Sequence, residues 1–96
     1  MKPSLALERH REAIRAAVAR NRAANPRVFG SVLRGEDREG GDIDTLVDAA
    51  PGATLFDLGG LQMDLQEILG VRVDLMTEGK LPRRIRPKVL AEGAPI

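Results

Sequence analysis

The stretch Asp42-Ile43-Asp44-Thr45-Leu46-Val47-Asp48 constrains this chain more than any other. It alternates, and β-branched residues dominate its interior, which predicts a strand over Ile43–Val47 closed by Pro51-Gly52. Successive side chains of a strand point to opposite faces, so Asp42 and Asp44 project to the same side. Two unpaired carboxylates side by side repel one another, and the cost rises where water is partly excluded. A bound divalent cation offsets that repulsion, and hard oxygen ligands suit Mg²⁺ or Mn²⁺. Taken alone, Asp-x-Asp is more often a solvated strand edge, so the surrounding order has to decide.

Before this strand, Ser4 to Ala24 reads as a helix, with Leu5, Leu7, Ile14, Ala17 and Val18 assigned to the core. Asn25-Pro26 ends it, because the residue before a proline is pushed out of the helical region. Arg27–Phe29 is a short strand leading into Gly30-Ser31, followed by a brief helix to about Glu36 and a charged loop over Asp37–Gly41. After it, Thr54 or Asp57 caps a helix that carries Leu58, Leu61, Leu65, Ile68 and Leu69 on one face and stops at Gly70. Val71–Met76 alternates again as a strand. Leu81–Glu92 is a short helix interrupted by Pro82 and Pro87. The order is α, β, short α, β, α, β, α. It predicts one α/β domain spanning residues 1–96, a small mixed β-sheet with helices packed on it.

Composition removes several classes of function. A net charge of +1 gives no global pull toward nucleic acid or a membrane surface. Phe29 and Phe56 are the only aromatic residues, too few for a platform that stacks single-stranded bases. No cysteine is present, which removes disulfides and thiolate metal sites together. His10 is the only histidine and sits among charges, so a histidine-based metal site or triad is not expected. No signal core and no run of membrane-spanning length is seen, and a soluble, cytoplasmic protein is expected. There is also no tyrosine, so chemistry on a tyrosine hydroxyl would act on another chain.

Two features extend the Asp-x-Asp chemistry. Glycine at position 30 lets a phosphate approach the backbone closely. A helix starting at Ser31 would offer free N–H groups and a hydroxyl to it, with Arg34 adding charge one turn on. A Walker-type phosphate loop is absent, since no Gly-Lys-Ser or Gly-Lys-Thr occurs. Asp74 lies inside the next strand between Val73 and Leu75, and a suitable register brings it to the same patch. Three acids from two strands would suit a two-metal site acting on phosphorus.

Gly30-Ser31, ten residues, then Asp42-Ile43-Asp44 resembles the signature of the DNA polymerase β-type nucleotidyltransferase superfamily. "FGSVLRGEDREGGDIDTLVD" is similar to the minimal nucleotidyltransferases, the MNT antitoxins encoded beside HEPN toxins. The resemblance runs through nearly the whole chain, including Arg34-Gly35-Glu36 and the ending "VRVDLMTEGKLPRRIRPKVLAEGAPI". Two positions depart from it: Gly41 where serine is usual, and Thr45 where leucine is usual.

The resemblance implies a polymerase β-like fold and transfer of AMP from ATP to a hydroxyl, with release of pyrophosphate. It implies Asp42, Asp44 and Asp74 as metal ligands and catalytic acids, with Mg²⁺ as cofactor, and Gly30 and Ser31 on the β- and γ-phosphates. The implied acceptor is a tyrosine of a cognate HEPN ribonuclease, which the transfer silences, in a hetero-oligomer with that toxin. Neither nucleic acid nor membrane is an expected partner. Two other readings stay open: an antitoxin that masks its toxin by binding alone, and a nucleotidyltransferase for a small-molecule or nucleic-acid acceptor. The basic run Lys80, Arg83, Arg84, Arg86, Lys88 is expected to be a solvated face rather than a contact to a partner or to the triphosphate.

Overall fold

A computed structural model describes all 96 residues. Helix α1 (Pro3–Arg9) and helix α2 (Arg11–Arg20) are separated by a break at His10. Strand β1 (Ala23–Phe29) follows, then strand β2 (Ile43–Ala49), helix α3 (Leu55–Leu69) and strand β3 (Val73–Met76). A 3-10 turn (Glu78–Lys80), helix α4 (Arg86–Glu92) and a two-residue strand β4 (Ala94–Pro95) complete the chain. The sheet order is β3-β2-β1-β4. β1 runs antiparallel to β2 and to β4, while β2 and β3 are parallel and joined by the α3 crossover. This is the mixed sheet the sequence implied.

β2 lies inside the sheet, with apolar residues buried on both of its faces. Ile43, Thr45 and Val47 point to one side and Leu46 to the other, and all four are at most 2% exposed. Burying Ile43, Leu46 and Val47 contributes roughly 1.5–3 kcal/mol each relative to leaving them in water. The Ile43 side of the sheet is covered by α1, α2 and α3, which supply Leu7, Ile14, Val18, Leu61, Leu65 and Leu69 to the main core. The Leu46 side is covered only in part, by Leu81 and Val89 of the C-terminal segment, against Phe29 and Met76. The rest of that face is open, and the acids stand on it.

The α3 boundaries follow from local chemistry. The Thr54 hydroxyl accepts from the Asp57 N–H at 3.3 Å, and the Asp57 carboxylate accepts from the Thr54 N–H at 2.8 Å, which closes a capping box. At the other end Gly70 adopts φ +68°, the left-handed conformation that glycine reaches without strain. Helix α1 has no cap of its own. Its Ser4 N–H donates instead to Asp37 at 2.9 Å, and this bond holds the Asp37 carboxyl below its ordinary range. The loop that leads to Asp42 is thereby pinned to the start of the chain.

Several expectations are corrected. The first helix is two helices, because the His10 backbone leaves the helical region (ψ +19°), and Leu5 is 56% exposed rather than in the core. β1 begins at Ala23, four residues earlier than expected. Arg22 and Asn25 take positive φ, and the ladder to β2 shifts register between Ala24 and Arg27, so Asn25-Pro26 makes a bulge inside the strand. Residues 31–35 form hydrogen-bonded turns rather than a helix. β3 begins at Val73. The last helix starts only at Arg86, with Pro87 in its first turn where a missing N–H costs nothing, and β4 lies beyond it where no strand was expected. No helix is long and apolar enough to cross a membrane.

Candidate active site

The parallel ladder sets Asp44 directly opposite Asp74, with Ile43 opposite Val73 and Thr45 opposite Leu75. Directly paired residues share a face, so the two carboxylates lie side by side on the open side of the sheet. Asp42, two residues before Asp44, is carried to the same side. Asp44 registers the other two acids. Burial, then Asp74, then Asp42 push the Asp44 carboxyl above its ordinary range, while Arg34 draws it down. An upward shift from neighbouring carboxylates marks negative charge that the protein itself leaves uncompensated.

No three acidic side chains converge tightly enough to cage an ion unaided. The donor set nonetheless suits Mg²⁺, which usually takes one or two carboxylates and completes its shell with water and substrate phosphates. Carboxylate oxygens are the hard ligands it selects.

Gly30 closes the other side of the site. β1 brings Phe29 opposite Asp44, and Gly30 follows with φ +73°. A Cβ at this position would overlap Asp44 Oδ2 and stand 3.1 Å from Asp44 Cγ, so only glycine lets the turn rest on the carboxylate. The turn is held by Arg34 N–H to Gly30 O at 3.1 Å, Gly35 N–H to Val32 O at 3.2 Å and Glu36 N–H to Ser31 O at 2.8 Å. The N–H groups of Ser31, Val32 and Leu33 donate to no backbone acceptor. Consecutive free donors beside a glycine form an anion-binding concavity without a regular helix. Arg34 is exposed and bonds to Glu36 at 3.2 Å, a surface pair that a phosphate can replace.

The two departures also have physical readings. A Cβ on Gly41 would sit 2.9 Å from the Arg38 carbonyl oxygen, so the loop into Asp42 is shaped around glycine. Thr45 is buried on the face opposite the acids and acts on packing alone.

All six residues expected at the site lie close along the fold: Gly30, Ser31 and Arg34 in the turn after β1, Asp42 just before β2, Asp44 on β2 and Asp74 on β3. Sequence reasoning missed the opposite wall. A cavity of about 330 Å³ lies between the turn and α4, lined by Phe29, Gly30, Leu33, Arg34 and Asp44 on one side and Ile85, Lys88, Val89 and Glu92 on the other. Lys88 is therefore not simply part of a solvated face. The spacing Ile85, Lys88, Val89, Glu92 is that of a single helix face and was the available signal.

A family model described as a nucleotidyltransferase domain matches residues 7–96. The chain belongs to this family. Among named relatives, the protein adenylyltransferase MntA of Thermococcus cleftensis is 42% identical over 65 residues, which span 68% of this chain and 66% of that protein. A Methanocaldococcus jannaschii protein whose name also contains the words protein adenylyltransferase is 36% identical over 69 residues, 72% of this chain and 74% of its own. A solved structure described as a minimal nucleotidyltransferase superposes over 100% of this chain and 97% of its own, with a TM-score of 0.87 and 45% identity. A toxin–antitoxin structure with AMP-PNP shares the fold at a TM-score of 0.72 and 23% identity, over 88% of this chain and 69% of its own. The nucleotidyltransferase family and the polymerase β-like fold are thus established.

Proposed function

We propose that this nucleotidyltransferase is an antitoxin that transfers AMP from ATP to a tyrosine hydroxyl of a HEPN-type ribonuclease toxin and so silences it. The observation that carries the reading is the direct pairing of Asp44 with Asp74, with Asp42 beside them and Gly30 seated on Asp44. The adenylyltransferase names of the two relatives, and the toxin–antitoxin setting of the structural neighbour, support the acceptor and the partner.

Asp42, Asp44 and Asp74 are the residues that would hold Mg²⁺. Bound there, it would neutralise charge on the triphosphate during displacement at phosphorus. The free N–H groups after Gly30, the Ser31 hydroxyl and Arg34 would hold the β- and γ-phosphates. A carboxylate oxygen of Asp74 would accept the proton of the attacking hydroxyl. The new bond joins that hydroxyl oxygen to the α-phosphorus, the bond from the α-phosphorus to the bridging oxygen breaks, and pyrophosphate leaves with the electron pair. The chain contributes mainly positioning and charge placement, from which most of the catalysis of phosphoryl transfer comes.

The test is to incubate the protein with ATP, Mg²⁺ and the ribonuclease encoded beside it, and to weigh both chains intact. One or more adenylate increments on the ribonuclease are expected, abolished by Asp44→Asn. If the two proteins bind but the ribonuclease gains no mass, the proposal is wrong.

One observation favours a second reading, neutralisation by contact alone. Leu55 and Phe56 at the start of α3 and Met63 at its middle are 74%, 92% and 71% exposed, apolar side chains on a helix that covers the side of the sheet opposite the acids. The Asp42→Asn, Asp44→Asn double variant separates the two readings. Full neutralisation at equal protein level would favour masking.

A further inference from the structure

The cavity beside the acids has walls of different origin. One is the turn from Gly30 to Arg34, the other a single face of α4 that presents Lys88 and Glu92. An in-line displacement brings the acceptor from the side opposite the leaving pyrophosphate. Asp74, the acid placed to serve the acceptor, is on β3, whereas the cavity lies toward β1 and the segment leading into β4. The cavity therefore lies on the leaving-group side of the acids.

Two cations face into it from opposite walls. Arg34 is close enough for its charge to act on Asp44, and Lys88 lines the facing wall on α4. An anion held at the turn therefore has Lys88 across the cavity from it. Arg34 is paired with Glu36, but Lys88 takes part in none of the six ion pairs of the structure. Glu92 lines the same wall one helical turn away and does not cancel it. A cation with no protein partner, facing a phosphate-binding turn across a partly apolar cavity, is poised for an anion that spans the gap.

We propose that Lys88 is a second cation for the terminal phosphates of the donor triphosphate, gripping the departing pyrophosphate from α4 while Arg34 grips it from the turn. The proposal rests on the nucleotidyl-transfer reading and makes the C-terminal helix part of the catalytic apparatus. Negative charge grows on the leaving oxygen as its bond to the α-phosphorus breaks. A fixed cation on that side therefore stabilises the transition state more than the ground state. Glu92 opposes the phosphates, which gives the two α4 residues opposite signs.

The test is calorimetric titration of the protein in Mg²⁺ with ATP, inorganic tripolyphosphate and AMP in turn. Lys88 and Glu92 are exposed, and thermal melts check that their variants stay folded. Lys88→Gln should weaken ATP and tripolyphosphate alike, by roughly ten-fold for one lost charge-assisted contact, and leave AMP unchanged. Lys88→Arg should restore most of the loss, and Glu92→Gln should tighten tripolyphosphate. Unchanged tripolyphosphate binding in Lys88→Gln overturns the assignment. So does an equal loss for AMP, which places the nucleoside monophosphate in the cavity, or weaker tripolyphosphate binding in Glu92→Gln, which shows that Glu92 does not oppose the phosphates. If the wild-type protein binds neither ATP nor tripolyphosphate, the nucleotidyl-transfer reading falls as well. Wild-type binding with an indifferent Lys88→Gln removes Lys88 alone.

Discussion

Replacing Gly30 by alanine perturbs two things at once, and the structure supplies a control that separates them. The first is backbone strain, because alanine at φ +73° occupies the left-handed region at a cost of about 1–2 kcal/mol. The second is overlap between the new Cβ and the Asp44 carboxylate, which has to move by something on the order of 1 Å. Gly35 has φ +71°, and a Cβ there meets nothing within 4 Å. Gly35→Ala therefore carries the strain without the overlap. For a domain of this size, the strain alone lowers Tm by about 4–8 °C per kcal/mol in both variants. Adenylate transfer should fall roughly 10²-fold in Gly30→Ala, since a 1 Å displacement at a reacting centre costs about that much, and stay near wild type in Gly35→Ala. The assay pairs thermal melts with initial rates of labelled-AMP incorporation. If Gly30→Ala transfers AMP within about five-fold of Gly35→Ala, the contact between the turn and Asp44 is not what the site depends on.

Three further outcomes are expected. Asp44→Asn should lower transfer by roughly 10²–10³-fold yet raise Tm at neutral pH, because it removes a carboxylate whose pKa the fold raises. A raised folded pKa contributes stability below the unfolded value and loses it as pH climbs through the folded one. The Tm gap between variant and wild type should thus be widest near pH 7–8 and close below about pH 4, as melts across that range would record. Thr54→Ala opens the α3 capping box and should destabilise the fold by about 1 kcal/mol in urea titration. Gly59→Ala should stabilise it by roughly 1 kcal/mol, since its Cβ would meet open space in mid-helix. Gly60→Ala should gain much less, because its Cβ would press on Asn21 Oδ1 at 3.2 Å.

The parts of the fold legible in the sequence were those whose pattern is local. Thr54 with Asp57, the leucine stripe and Gly70 fix α3 within its own span, and alternation marks β2. Asp42 and Asp44 could be placed on one face because a strand's period is short and rigid. Their pairing with Asp74 was readable only on condition of a suitable register, since register is set by the α3 crossover and by packing, not by the strands themselves. The break at His10 and the bulge at Asn25-Pro26 depend on how two helices and a strand share one core, and no propensity announces them. The α4 wall was hidden for a related reason. Lys88 and Glu92 look like ordinary surface charges until the Ala94–Pro95 strand docks on β1 and turns that helix face toward Gly30.

The glutamines of α3 have a bearing on how any partner can approach. Gln62 Nε2 donates to the Val73 carbonyl at 3.0 Å, and Gln66 Oε1 accepts from the Val73 N–H at 3.1 Å. These bonds occupy the outward N–H and carbonyl of Val73, the first residue of β3, the strand at one margin of the sheet. At the other margin Pro95 has no N–H to offer. An added strand would meet the glutamines at Val73 on one margin and a proline on the other, which hinders strand addition at those two positions. In the proposed reaction the acceptor hydroxyl would come down onto the open side of the sheet, above Asp44 and Asp74.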